Sequence, residues 1–152
     1  MPVMIDCVIV DIDGTLADCE HRRVHITREP KNWGKFLSPS LVKKDPLIEP
    51  VSRVVRNLSL NETIIYASGR TESLRPVTVA WLERHGLWME PHALYMRQKN
   101  DYRSDTIVKQ EILAAIRSDG YEPWLVIDDR DSVVSMWRGQ GLTCFQVDDG
   151  DF

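Results

Sequence analysis

Two carboxylates one residue apart close the first apolar run of the chain, where Val8, Ile9 and Val10 lead into Asp11-Ile12-Asp13-Gly14-Thr15. The run reads as a buried strand, so both acids fall at its carboxyl end, in a turn. Acids at such a place are expensive unless something uses them. One carboxylate can attack a phosphate, and a second two residues on can protonate the leaving oxygen and then activate water. Asp11 suits the first task and Asp13 the second. Two further apolar runs stop at loaded residues: Thr63 to Ala67 at Ser68-Gly69-Arg70, and Trp124 to Ile127 at Asp128-Asp129-Arg130. Lys109 lies between them.

These residues need elements to bring them together. After the first strand, Ala17 to Pro50 reads as a long irregular connection with a short amphipathic piece near Asn32 to Leu37, and a loop of that length in a compact chain is usually functional. Pro50 opens a helix with a stripe of Val51, Val54, Val55 and Leu58. A second helix carries Leu74, Val77 and Trp81, tolerates Pro76 in its first turn and stops at Gly86. Ala93 to Met96 is a third strand. Ser104 or Asp105 caps a helix with Val108, Ile112, Ala115 and Ile116 inward, ended by Gly120. Asp131 caps a last helix holding Val134 and Trp137, and Leu142 to Val147 is a fifth strand.

Strands alternating with helices predict an α/β fold, a Rossmann-like three-layer sandwich with a mainly parallel five-stranded sheet. Residues 1–152 read as one domain, with no repeat, linker or low-complexity tract, and residues 18–48 as a small cap-like loop segment. In such sheets ligands bind beyond the carboxyl ends of the strands, and right-handed crossovers place those ends on one edge. Asp11, Asp13, Ser68, Asp128 and Asp129 are therefore expected to converge. Four carboxylates that close cannot all stay ionised without a cation, and an all-oxygen ligand set suits Mg²⁺. Acids, a hydroxyl and a lysine around a hard cation make a phosphoryl-transfer site, where positioning and charge neutralisation do most of the work.

In order, Asp11-Ile-Asp-Gly-Thr-Leu, Ser68-Gly-Arg, Lys109 and Asp128-Asp129 resemble the four motifs of haloacid dehalogenase superfamily phosphatases. The resemblance is closer still to the 3′-phosphatase domain of bacteriophage polynucleotide kinase-phosphatases. It rests on Ser68-Gly-Arg70, Met96-Arg97, Asp101-Tyr-Arg103, Asp105 with Val108-Lys109, Ile127-Asp-Asp-Arg130, Val133-Val134-x-Met136-Trp137-Arg138 and Gln146-Val147-x-x-Gly150-Asp151-Phe152. By that resemblance Asp11 is the nucleophile and a metal ligand, and Asp13 the general acid and base that also lends its main-chain carbonyl to Mg²⁺. Ser68 and Lys109 hold the phosphoryl oxygens, Asp128 binds metal and Asp129 supports it. Asp105, one helical turn before Lys109, orients or neutralises that lysine. Gly69, Arg22, Arg70, Arg97, Arg103 and Arg130 belong to the substrate-binding set, arginine matching phosphate oxygens with its fork. Asn100 stands where relatives usually carry glycine.

The resemblance implies a Mg²⁺-dependent phosphatase of 3′-phosphorylated DNA or RNA ends that works through an aspartyl-phosphate. The chain has no Gly-x-x-x-x-Gly-Lys-Ser/Thr loop, so any kinase or ligase partner is expected on a separate chain. A phosphatase of small nucleotides or metabolites is the alternative, and a catalytically silent binding module a third. The predicted lack of a large cap favours polymeric ends over small substrates. Seven basic against two acidic residues between positions 20 and 44, on a chain of net charge −4, fit a phosphate backbone beside the site.

Several weaker readings stay open at this level. Asp-x-Asp-Gly-Thr in isolation also fits a calcium loop or a plain turn. Cys19, His21 and His25 invite zinc but lack a fourth ligand at standard spacing. His21, Arg22 and Arg23 reach toward substrate more readily. Trp33 and Phe36 either stack on a base or pack the connection onto the sheet. Trp81, Trp88, Trp124 and Trp137 are assigned to core or near-core packing. Three widely spaced cysteines (Cys7, Cys19, Cys144), no basic leader and no long apolar stretch predict reduced thiols, a cytoplasmic setting and no membrane partner.

Overall fold

A computed structural model describes residues 2–152. Five strands, β1 (Ile5–Val10), β2 (Thr63–Thr71), β3 (Ala93–Arg97), β4 (Tyr121–Asp128) and β5 (Cys144–Gln146), lie in the order β3-β2-β1-β4-β5. Every neighbouring pair is parallel. The chain winds outward one way from β1 through β2 to β3, then returns and winds the other way through β4 to β5. The reversal falls between β1 and β4, the position at which open parallel sheets bind ligands.

The sheet is covered on both faces because alternate residues of β1 are apolar on both sides. Val8 and Val10 join Val55 of α4 (Glu49–Leu58) and Trp81 and Leu82 of α5 (Arg75–Arg84) in one core. Cys7 and Ile9 join Val108, Ile112, Leu113 and Ile116 of α6 (Asp105–Ser118) with Val133, Val134 and Trp137 of α7 (Asp131–Gly139) in the other. The predicted Rossmann-like three-layer sandwich is observed, wholly parallel and without a large cap. No helix of the described residues is long and apolar enough to cross a membrane. Cys7, Cys19 and Cys144 are buried free thiols.

Several expectations change. The connection read as irregular holds three short helices, α1 (Glu20–Thr27), α2 (Trp33–Phe36) and α3 (Pro39–Val42). In α1 the one buried side chain is Arg22, so no apolar periodicity advertised the helix. In α4 the buried face is Ser52 and Val55, and Val54, nearly opposite Ser52 around the helix, is 53% exposed. In α6 Leu113 takes the buried place expected of Ala115. Trp124 is 46% exposed rather than core. The β1–β4 register shifts between Cys7 and Val8, opposite Pro123, which has no N–H for the ladder; the Trp124 indole instead donates to Glu62 Oε2 at 3.2 Å. Asp131 lies in the first turn of α7, and Arg130 is its N-cap.

Candidate active site

β1 ends in a tight turn in which the Ile12 carbonyl accepts from the N–H groups of Thr15, Leu16 and Ala17. Gly14 makes it possible. Its φ is +83°, and a Cβ there would lie 2.2 Å from Asp129 Oδ2. The Asp11 N–H still pairs with the Ile127 carbonyl at 3.0 Å, which fixes the nucleophile candidate beside the end of β4.

Asp11, Asp128 and Asp129 present carboxylate oxygens within 4.8 Å of one another, and all three residues are buried. Lys109 reaches them from α6, its Nζ 2.7 Å from Asp11 Oδ1 and 2.9 Å from Asp128 Oδ2. The Thr15 hydroxyl donates to Asp11 Oδ2 at 3.0 Å, and the Trp137 indole to Asp128 Oδ2 at 3.0 Å. Burial, then the Asp128 charge, pushes the Asp11 carboxyl well above its ordinary range despite the pull of Lys109. Burial also leads in raising Asp129. Asp128 moves the other way: burial opposes its charge, but Lys109 and Trp137 outweigh it. Burial likewise opposes the Lys109 charge, and Asp11 and Asp128 outweigh that and raise it. Three acids against one ammonium leave a buried surplus of negative charge, made of hard oxygen donors. The residues present fit a Mg²⁺-sized cation. β2 runs on to Thr71 rather than stopping before Ser68, with its pairing to β3 irregular between Ser68 and Thr71, and the buried Ser68 hydroxyl there accepts the Arg70 N–H at 3.1 Å.

Asp13 belongs to a second network. Arg70 donates to it through Nη2 at 2.6 Å and Nε at 3.2 Å, and Arg22 through Nη2 at 2.9 Å. Both arginines also bind Asp45, a buried acid at the end of the cap-like segment. Arg22 further donates to the Phe36 carbonyl and Arg70 to the Thr78 hydroxyl. Burial pushes the Asp13 carboxyl up, but Arg70 and then Arg22 outweigh it and hold it below its ordinary range. Arg22 and Arg70 are both buried, with their guanidinium groups on Asp13 and Asp45.

The remaining arginines are also paired. Asp105 holds Arg97 on one oxygen and Arg130 on the other, the latter at 2.7 Å. Asp105 faces these arginines rather than hydrogen-bonding Lys109, and a Cβ on Gly69 would lie 2.7 Å from its Oδ1. Arg97 donates to the Gly69 carbonyl at 2.9 Å, while Arg103 pairs with Asp101 and Glu111. Asn100 between them has φ +64°, the left-handed conformation that glycine would supply. His21 binds Asp45, and Cys19, His21 and His25 form no metal-ligand group among the described residues.

Sequence reasoning missed Asp45, which has no motif around it, and gave no separate role to Thr15, which sits inside the first one. It also missed the strap formed by the end of the chain. Gln146 donates to the Asp129 carbonyl, and Gly150 packs so closely that a Cβ would lie 2.2 Å from the same oxygen.

The model of the polynucleotide kinase PNKP phosphatase domain matches residues 5–152. The chain belongs to this family. Among solved structures, two chains of Pnkp1/Rnl/Hen1 assemblies, one of them described as an RNA repair complex, share 33% identity over 98% of this chain, with TM-scores of 0.81 and 0.79. This PNKP-type phosphatase domain spans 48% and 44% of those chains. A class C acid phosphatase from Bacillus anthracis with tungstate bound, at 16% identity and a TM-score of 0.66 over 98% of this chain and 68% of its own, shares the haloacid dehalogenase-type fold.

Proposed function

We propose that the chain is a Mg²⁺-dependent phosphatase that removes 3′-phosphates from polynucleotide ends, in the repair of nucleic acid. The observation that carries this reading is the family match over nearly the whole chain. The site's geometry supplies the chemistry. Residues 1–152 act as one domain, with residues 18–48 as a small cap-like segment. The likeness to chains of Pnkp1/Rnl/Hen1 complexes supports RNA ends and a kinase or ligase working alongside.

In the first step an Asp11 carboxylate oxygen attacks phosphorus. The bond from phosphorus to the 3′-oxygen breaks, and that oxygen takes a proton from Asp13 as the aspartyl-phosphate forms. In the second, Asp13 removes a proton from water, the resulting hydroxide attacks phosphorus, and inorganic phosphate leaves as Asp11 is restored. Arg22 and Arg70 aim the Asp13 carboxylate and hold it ionised at rest. The negative charge of an arriving phosphate offsets their pull and lets it take up the proton used in the first step. Lys109 and Ser68 hold the phosphoryl oxygens. Asp11, Asp128 and the Asp13 carbonyl, with Asp129 behind them, would hold Mg²⁺, which would keep Asp11 ionised and further neutralise those oxygens.

The test is phosphate release, with and without Mg²⁺, from a 3′-phosphorylated oligonucleotide, a 5′-phosphorylated one and a nucleoside monophosphate. Release from the 3′ end alone, lost in Asp11→Asn, is expected. A preference for the mononucleotide would return the small-nucleotide reading, and no turnover on any of the three the silent module.

A further inference from the structure

The structure separates the two aromatic residues of the cap-like segment. Phe36 is buried, with the Arg22 guanidinium carbon 4.7 Å from its ring centre. Trp33 stands on top of it edge to face, centroids 5.8 Å apart, and is 54% exposed. An exposed indole held by a well-covered neighbour offers rigid amphipathic contact area of the kind enriched at interfaces. The contacts run without a gap from Asp13 to Arg22, from Arg22 to Phe36, and from Phe36 to Trp33. Trp33 is therefore held at a fixed offset from the acid that handles the proton. Arg28, Lys31 and Lys35 surround it in sequence, all exposed, with Glu29 the only acid between positions 27 and 35.

We propose that Trp33 is a stacking platform for a base of the single strand upstream of the reacting end, with Arg28, Lys31 and Lys35 following the phosphates. Every base has a π-face, so such a platform is tolerant of sequence, and cations beside it match the polyanion. Packing of the segment onto the core is already done by Leu37 and Val42, which leaves the indole face free for a partner. The other exposed tryptophan, Trp124, lacks this setting, because its indole N–H is bound to Glu62. The proposal rests on the polynucleotide reading above and deepens it by giving the strand a second point of attachment.

Binding and turnover together test it. The affinity of a fluorescent single-stranded oligonucleotide ending in a 3′-hydroxyl is measured by anisotropy for wild type, Trp33→Ala and Trp33→Phe, without any need for catalysis. Trp33→Ala is expected to weaken binding about tenfold, in line with the cost of losing one stacked base, and Trp33→Phe to stay within about threefold of wild type. KM for a 3′-phosphorylated oligonucleotide should rise in parallel at constant kcat, while KM for a nucleoside 3′-monophosphate stays put. Unchanged binding in Trp33→Ala overturns the proposal. So does an equal loss on both substrates, because the indole would then act only by supporting Phe36 and Arg22. If Trp33-dependent binding is found but no phosphate is released from strand ends, the platform stands and the phosphatase reading falls. If end-specific release is found and Trp33→Ala is indistinguishable from wild type, the reverse holds.

Discussion

Two charge networks, buried but for the partly exposed Asp13, lie side by side at the carboxyl edge of the sheet, and their arithmetic differs. Asp11, Asp128 and Asp129 face a single Lys109, whereas Asp13 and Asp45 face Arg22 and Arg70. The first has acid to spare and the second is balanced. In the first, burial dominates and lifts Asp11 and Asp129; in the second, paired guanidinium groups win and hold Asp13 down. Unpaired buried charge costs stability and is kept where a cation or a substrate completes it; balanced buried charge fixes geometry. One network is thus built to receive something and the other to hold something still.

Removing an acid should separate the two. Asp11→Asn takes one negative charge from the surplus and removes the nucleophile. Phosphate release should fall on the order of 10³-fold or more, while the thermal midpoint in chelator rises by a few degrees. Asp45→Asn touches no substrate, yet it strands two buried guanidinium groups on one remaining acid. Breaking a buried pair in this way costs about 3–5 kcal/mol, or roughly 10 °C in a chain of this length. Calorimetry of both variants checks the contrast. If Asp11→Asn also melts early, the surplus is not a strain and the comparison fails.

The same contrast explains what could be read from sequence. The surplus network is assembled from strand ends, and a strand ending in carboxylates stands out against its apolar run, as at Val10-Asp11 and Ile127-Asp128. The alternation of strands and helices likewise carried the sheet and its two covers. The balanced network hides because its inward side chains are polar. Arg22 is the buried residue of a helix with no apolar stripe, and Asp45 lies between Lys44 and Pro46 in a segment with no pattern at all. An arginine just past an expected strand end reads as a phosphate contact, and nothing in the sequence says that it lies inside β2 with Asp13 and Asp45 on its fork. Periodicity reports apolar burial, and these positions were buried by charge pairing instead.

A divalent cation sharpens the distinction further. With Mg²⁺ at about a hundred times its dissociation constant, wild type should gain about 2.7 kcal/mol of stability by linkage. Asp128→Asn should lose that increment, since it removes a ligand from the network with the surplus. Asp45→Asn, although less stable throughout, should gain as much from Mg²⁺ as wild type does. Equal loss in both variants, read from denaturant midpoints with Mg²⁺ or chelator, would mean that the two networks act as one.

The smallest effect is in the pH dependence, where the networks should pull in opposite directions. Asp11 and Asp129 lie above their ordinary 3.8 in the fold, so between that value and their raised ones the folded chain keeps protons that the unfolded chain has released. Their contribution is full below 3.8 and is lost as pH rises through the folded values. Asp13 lies below 3.8, so its contribution is full above 3.8 and is lost as pH falls through the lowered value. Urea midpoints in chelator from about pH 3 to about pH 8 should therefore decline toward the alkaline side in wild type. Asp11→Asn should flatten that decline and leave in place the part of the acid limb that Asp13 and its two arginines supply, the rest coming from Asp128, which Lys109 and Trp137 hold low. A variant profile that keeps the alkaline decline would place the titrating group elsewhere and remove the electrostatic half of the comparison.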